Sequence, residues 1–248
     1  MRFVEIHFHL LPGVDDGPQT MEESVALARA AVADGTGIVV TTPHVNPTCI
    51  TDPGEIRART RELSQALRRA PVPLRVLPGG ELAHPLVECL AQDQLDQIAQ
   101  GPPGRRWLLL ETPFSGPDES FAAAADELRS RGFGIVIAHP ERTELTPQNE
   151  AIINREVTAG SVLQLTAGAL TGFYGDAMRH TALRLLRSAT PRVLIASDAH
   201  GRERSPMLTA AVTALAAAGE TEPDRFAAAV PRDLLERGLS VWPAARVA

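Results

Sequence analysis

The opening stretch MRFVEIHFHLLPGVDDGP places His7 and His9 one residue apart behind an apolar run, then Asp15 and Asp16 between two glycines. On a strand, side chains alternate between faces, so His7 and His9 point the same way and two imidazoles share one small region. Core packing alone does not ask for such a pair, because each buried imidazole needs a polar partner. The same kind of residue recurs at the ends of later apolar runs: His44 in TTPH, Glu81 in PGGE, Glu111 in LLLET, His139 in IAHPER, and Asp198 with His200 in IASDAH. Five of the seven histidines occupy such positions, so they are read as a set. Any one of them alone would be read as structural. Carboxylates gathered there would repel one another severely unless cations lay between them. Imidazole and carboxylate donors without thiolate suit manganese, iron or zinc. His7, His9, Asp16, His44, Glu81, Glu111, His139, Asp198 and His200 are too many ligands for one ion, which implies two or three.

Four carboxylates facing three divalent cations leave about two net positive charges, so such a site attracts anions. Arg142 lies three residues past His139, and Arg202 and Arg204 follow His200 in SDAHGRERSP. A guanidinium grips phosphate oxygens bidentately. A polynuclear site rimmed by arginine fits phosphoester hydrolysis: a hydroxide bridging the ions attacks phosphorus in line, while metals and arginine stabilise the developing charge. Arg142 is the stronger phosphate-binding candidate, Arg204 the second and Arg202 the weakest.

Composition narrows the alternatives. All 24 basic residues are arginine, which removes Schiff-base chemistry, phosphate-loop nucleotide hydrolysis and carbamylated-lysine metal bridges. A net charge of -6 argues against nucleic acid or an anionic membrane as the main partner. Neither Cys49 nor Cys89 has an arginine six residues on, so the loop of a cysteine-nucleophile phosphatase is missing, and both are read as packing residues. Two cysteines are too few for a disulfide framework. With no long apolar span and no cleavable leader ahead of the histidine strand, the expected location is the cytoplasm.

The elements that must position these residues read as alternating strands and helices around a parallel sheet. Seven strands are predicted, over Phe3–Ile6, Gly37–Thr41, Leu74–Leu77, Trp107–Leu110, Gly134–Ala138, Val162–Leu165 and Val193–Ala196. All but the sixth are followed by a ligand-type residue, and sites of parallel barrels sit at the carboxyl ends of their strands. Thr20 and Glu23 form a capping box for a helix whose apolar face is Val25, Ala28 and Val32 and which stops at Gly35. A second helix runs from about Pro53 to Arg69 on Ile56, Leu63 and Leu67. Further helices are predicted at Pro85–Ala99, Ser120–Arg131, Gln148–Ala159, Asp176–Arg187 and Met207–Ala218, with short helical pieces over Pro223–Gly238. No repeat or long linker divides the chain, so residues 1–248 are expected to form one α/β domain, with a barrel favoured over an open sheet.

The stretches HFHLLPGVDDGPQTMEES, TTPH, GGE, HPER and SDAH resemble the polymerase and histidinol phosphatase (PHP) superfamily. Within it they are similar to the bacterial manganese-dependent protein tyrosine phosphatases of capsule and exopolysaccharide operons, and the likeness runs from the first strand to about residue 207. The resemblance implies a single-domain distorted (β/α)7 barrel with a trinuclear manganese centre. His7, His9, Glu81 and Asp198 would hold one metal, Glu81, Glu111 and His139 a second, and Asp16, His44 and His200 the third. Asp16 is preferred over Asp15 because the family ligand is the second aspartate of the pair. Arg142 and Arg204 would bind phosphate. The implied substrate is phosphotyrosine on a protein, usually the tail of a bacterial tyrosine kinase. The chain departs from the family at Glu5, usually Asp, and at Phe8, usually small. The loop from His200 to Arg204 is shorter than usual. His84 is close enough to Glu81 to reach the rim, and His180 is read as a surface residue. Two alternatives stand beside this reading: a small-molecule phosphomonoesterase such as a histidinol phosphatase, and a non-catalytic metal-binding module.

Overall fold

A computed structural model describes residues 2–49 and 52–240. The last eight residues of the expected domain therefore lie outside the described part. Nine strands occur among the described residues: β1 (Phe3–Glu5), β2 (Thr36–Thr41), β3 (His44–Val45), β4 (Arg75–Pro78), β5 (Glu81–Ala83), β6 (Trp107–Glu111), β7 (Gly134–Ala138), β8 (Val162–Thr166) and β9 (Val193–Ala196). They pair in parallel as two sheets, one in the order β1-β2-β4 and one in the order β3-β5-β6-β7-β8-β9.

The two strands beyond the expected seven come from interruption. Pro43 has no N–H to give and separates β2 from β3; its carbonyl instead accepts from the Glu81 amide at 3.0 Å. Gly79 and Gly80 separate β4 from β5, and a Cβ on them would lie 2.5 Å from Val40 and 2.9 Å from Val45. These two breaks put His44 and Glu81 on short strands of their own, as register partners across β3 and β5. The continuation of β1 meets the segment after β9. Phe8 bridges Ala199 in parallel, the His9 amide donates to the Ala199 carbonyl at 3.0 Å, and the Asp198 amide donates to the His7 carbonyl at 3.1 Å.

Both faces of the sheets are covered, as parallel strands require. In β6, Leu108 and Leu110 join the cluster packed with the helices, whereas Trp107 and Leu109 join a second cluster with Val4, Ile6, Val40, Val136 and Leu194. That second cluster is closed by Leu234, whose carbonyl accepts from the Trp107 indole N–H at 3.0 Å.

The helices are α1 (Met21–Ala33), α2 (Gly54–Arg69), α3 (Gln92–Ile98), α4 (Glu119–Ser130), α5 (Pro147–Thr158), α6 (Ala167–Thr171), α7 (Asp176–Ala189), α8 (Leu208–Ala217) and α9 (Ala229–Arg237). The Thr20–Glu23 capping box forms, and Gly35 turns the chain at φ +99°. The buried face of α1 is Ser24, Leu27, Ala28 and Ala31, with Val25 and Val32 at its margin, so the expected apolar stripe is rotated by about one residue. The helix expected over Pro85–Ala99 is instead a short 3-10 turn at His84–Leu86 followed by α3. The Gln94 side chain reaches back to the Ala91 amide at 2.9 Å and starts α3 there. Helix α6 follows β8 directly, in a stretch where no helix is predicted from the sequence.

Candidate metal centre

All nine candidate ligands meet beyond the carboxyl ends of the strands. Side-chain donors from His9, Asp16, His44 and His200 lie within 4.8 Å of one another, as do those of His7, His9 and Asp198, of His7, Glu81 and His139, and of His44, Glu81 and Glu111. Glu81 is the common member. Its Oε1 lies 2.8 Å from His139 Nε2, and its Oε2 lies 3.0 Å from His44 Nδ1 and 3.3 and 3.4 Å from the Nε2 atoms of His7 and His9. Asp198 Oδ1 completes a four-donor group, 3.2 and 3.4 Å from those same Nε2 atoms. Asp16 bridges His44 and His200 at 3.4 and 3.1 Å. Glu111 lies nearer His44 than His139, at 3.9 Å, so the second implied ligand set is split between two groups.

Two of these residues are held in backbone conformations that favour glycine. Among the described residues, His139 (φ +37°) and Asp198 (φ +52°) are the non-glycine residues of positive φ. Each stands just past a strand end, where such a conformation costs of order 1–3 kcal/mol and persists only if the surroundings enforce it. Strain is stored at this end of the sheet.

A second layer orients the imidazoles. Asp15 is buried and accepts from His9 Nδ1 (2.7 Å), from the Gly17 amide (3.0 Å) and from the His44 amide (3.2 Å), which leaves His9 Nε2 facing the cluster. Gln164, a buried polar residue of β8, holds His7 Nδ1 at 2.8 Å and frees its Nε2 likewise. The Asp198 carbonyl does the same for His200 Nδ1 at 2.9 Å. A ligating histidine is usually oriented in this way through its second nitrogen. Metal-type residues alone do not reveal these partners, although a glutamine flanked by leucines in VLQLT is a signal for one.

The donor set fits divalent cations. Glu81 Oε2, His44 Nδ1, His139 Nδ1 and His200 Nε2 are buried with no hydrogen-bond partner, although most of them lie within 3–4 Å of other donors of the cluster. Buried polar atoms left without a hydrogen bond are costly unless a bound group satisfies them. Burial would raise Glu81 and Asp198, but His7 and the neighbouring imidazoles hold both carboxyls well below the usual range. Burial opposes the charge on His44, yet Asp16 and Glu81 push it up to about 10. Burial and the Glu81 charge push Glu111 up to about 7.

Two guanidiniums close the rim. Arg142 Nη1 lies 2.7 Å from Asp198 Oδ2, the oxygen turned away from the histidines, and Arg204 Nη2 donates to the same atom. The short last loop is a tight turn, with the His200 and Gly201 amides both donating to the Arg204 carbonyl, and it is this turn that carries Arg204 inward. Arg202 points outward and is exposed. His84 is outside the cluster: its Nε2 lies 3.3 Å from Ser120 Oγ and its ring packs edge-on against Phe121. Phe8 is fully buried in the helix-facing cluster. Glu5 is fully buried as well, accepting from the Ser197 amide at 2.8 Å, and is pushed up to about 8 by burial.

Residues 3–236 match the family model for capsular polysaccharide synthesis, CpsB/CapC. The chain belongs to this family. This CpsB/CapC member is 32% identical over 200 residues to the tyrosine-protein phosphatase YwqE of Bacillus subtilis, covering 79% of this chain and 77% of that protein. It is 28% identical over 208 residues to the putative tyrosine-protein phosphatase CapC of Staphylococcus aureus, covering 83% and 80%. A solved structure of YwqE from Bacillus subtilis and CpsB from Streptococcus pneumoniae, described as unique metal-dependent tyrosine phosphatases, superposes with a TM-score of 0.81. That match has 29% identity and covers 98% of this chain and all of the other.

Proposed function

We propose that this chain hydrolyses phosphotyrosine on protein substrates in a metal-dependent reaction. The observation that carries the reading is the convergence of five imidazoles and four carboxylates on one cluster, with two arginines sharing a single aspartate oxygen at its edge. His7, His9, Glu81 and Asp198 would hold one ion, Asp16, His44 and His200 another, and Glu81 with Glu111 and His139 a third. Manganese is the ion proposed, from a donor set of nitrogen and oxygen without sulfur; iron and zinc suit the same donors. Ions so held would supply Lewis acidity toward phosphoryl oxygens and a water acidic enough to attack phosphorus near neutral pH.

The rest of the chemistry belongs to the chain. Arg142 and Arg204 each keep N–H donors free beyond the one given to Asp198, and these would grip two phosphoryl oxygens and turn phosphorus toward the cluster. Asp15 and Gln164 fix the imidazole orientations, so the ligands need no rearrangement as charge develops. Phenolate, with a conjugate-acid pKa of about 10, leaves with less protonation than an alkoxide requires, which favours a tyrosyl over a seryl ester.

The bridge between Phe8 and Ala199 supports closure of the two sheets into a distorted seven-stranded barrel within one domain. The family description supports a role in capsular or exopolysaccharide synthesis. A phosphorylated bacterial tyrosine kinase as partner and the cytoplasm as the place of action are proposed alongside it. No helix among the described residues is long and apolar enough to cross a membrane.

The test is a panel of phosphorylated substrates with the manganese-loaded protein. Phosphotyrosine peptides and p-nitrophenyl phosphate should be turned over and phosphoserine peptides much less, with all activity lost in chelator. Preference for histidinol phosphate over peptides by orders of magnitude would select a small-molecule phosphatase. Fewer than two metals per chain with no turnover would select a binding module.

A further inference from the structure

The two large apolar side chains left exposed among the described residues are Phe114 (68% exposed) and Phe173 (56% exposed). Single exposed apolar residues are ordinary on protein surfaces. These two share one neighbourhood. The Arg142 guanidinium lies over the Phe114 ring, 5.4 Å from its centroid, and over the Tyr174 ring, 5.9 Å from its centroid. Phe173 meets Tyr174 edge to face, with ring centroids 5.1 Å apart.

The positions follow from topology. Phe114 stands three residues past the end of β6, Arg142 follows β7, Phe173 and Tyr174 follow β8 through α6, and Arg204 follows β9. Aromatic and cationic side chains thus alternate along four adjacent strand ends. Tyr174 is lodged firmly: its ring lies where a Cβ on Gly168 would be, 2.6 Å from Cε2, so only glycine there lets the ring lie flat on α6. Tyr174 therefore backs the arginine, and the two phenylalanines remain free to meet something beyond it.

We infer that Phe114 and Phe173 form a subsite for the aromatic ring of an aryl phosphate ester whose phosphoryl group is held by Arg142. This rests on the phosphatase reading and deepens it, because it assigns residues that separate aryl from alkyl phosphates. The charge pattern sets the order of the ligand: the anionic group binds at the guanidinium and the metal cluster, and whatever is attached to it passes between exposed ring faces. An aliphatic ester gains little there. An aromatic ring gains offset or edge-to-face contacts with both phenylalanines, each worth about a three- to ten-fold change in affinity.

The test uses two ligands that cannot be hydrolysed, so leaving-group chemistry does not enter. Phenylphosphonate and methylphosphonate are titrated calorimetrically into the manganese-loaded protein and into its Phe114→Ala, Phe173→Ala and double variants. The wild-type protein should bind phenylphosphonate about ten-fold tighter, each single variant should lose about three-fold of that preference, and the double variant should lose nearly all of it. Methylphosphonate affinity should stay within about two-fold throughout, and Phe114→Tyr should keep the preference. An unchanged preference in the double variant overturns the inference. So does an equal loss for both ligands, which would mean that the phenylalanines only support Arg142. Turnover of a phosphotyrosine peptide by the wild-type protein tests the underlying phosphatase reading separately.

Discussion

Two buried arginine–carboxylate clusters stand out among the described residues, and one of them has chemistry left over. Between α4 and α5, Arg129 is buried against Glu156 and also donates to Asp126 and Ser161, while Arg155 reaches both Glu156 and Asp126. Both oxygens of Glu156 are in use, and neither it nor Arg129 has a buried atom without a partner. At the rim, Arg142 and Arg204 share Asp198, but around them Glu81 Oε2, His44 Nδ1, His200 Nε2 and Arg204 Nε are buried and unpartnered. Burial of charge is the same in both places; polar satisfaction is not. A cluster complete in itself staples helices, whereas one with unspent donors and acceptors is built to receive something.

That contrast breaks most visibly through Glu81 and Glu156. Glu81→Gln should lower kcat/KM for a phosphotyrosine peptide by about a thousand-fold or more, the scale of removing a group that organises transition-state charge. Metal content measured by plasma mass spectrometry should fall with it, while the melting temperature of the metal-free protein changes little. Glu156→Ala should do the reverse, costing about 3 kcal/mol of folding stability by removing the buried counter-charge of Arg129 and leaving it only the half-exposed Asp126, with metal content intact at a temperature where the variant is folded. Denaturant unfolding reads the second, and a Glu156→Ala protein as stable as wild type would erase the distinction. Arg142→Ala comes next, at about a hundred-fold in kcat/KM with full metal content. Arg142→Lys should rescue little, since a point charge does not reproduce the bidentate fork.

How much of this contrast could be read from the sequence depends on what each residue type announces. Histidine and acid at the ends of Val-, Ile- and Leu-rich runs stand out because a buried strand tolerates neither, so the nine cluster residues and the alternation of strands and helices are legible. The orienting roles of Gln164 and Asp15 are not: glutamine has no metal-type signature, Asp15 is of the same type as the ligand candidate beside it, and both show their purpose only when His7 and His9 turn toward them. The breaks at Pro43 and at Gly79–Gly80 were visible as residues, but their effect depends on Val40 and Val45 being within contact distance. Helix α6 escapes because five residues are too few for a helical period, and α1 rotates by a residue because alanine and serine are small enough to pack on its buried face. The pairing of Arg129 with Glu156 joins residues 27 apart on two helices, and nothing local encodes it.

A smaller effect separates the two layers within the rim. Gln164→Leu removes the acceptor that fixes His7 Nδ1 without touching a ligand, so metal affinity should fall by about ten- to a hundred-fold while saturated turnover changes less. Titration with manganese under chelator buffering measures it, and equal losses in affinity and in saturated turnover would place Gln164 in the chemistry itself.

The smallest expected effect concerns His84, which is near Glu81 in sequence but outside the cluster. Burial lowers its pKa from the usual histidine value, and the Asp118 charge only partly offsets this. The unfolded chain therefore binds a proton more readily than the folded one, so the contribution of His84 to stability is present above about pH 6.5 and is lost as pH falls through its lower folded value. The ring is half-exposed and screened by solvent, so only a slight slope is expected. Melting temperatures between pH 5 and 8 should fall a little more steeply toward acid in the wild-type protein than in His84→Gln, with turnover at pH 7.5 alike in both. Because Ser120 and Phe121 already occupy this imidazole, a large loss of activity in His84→Gln would mean that satisfaction of its contacts does not separate structural histidines from functional ones here.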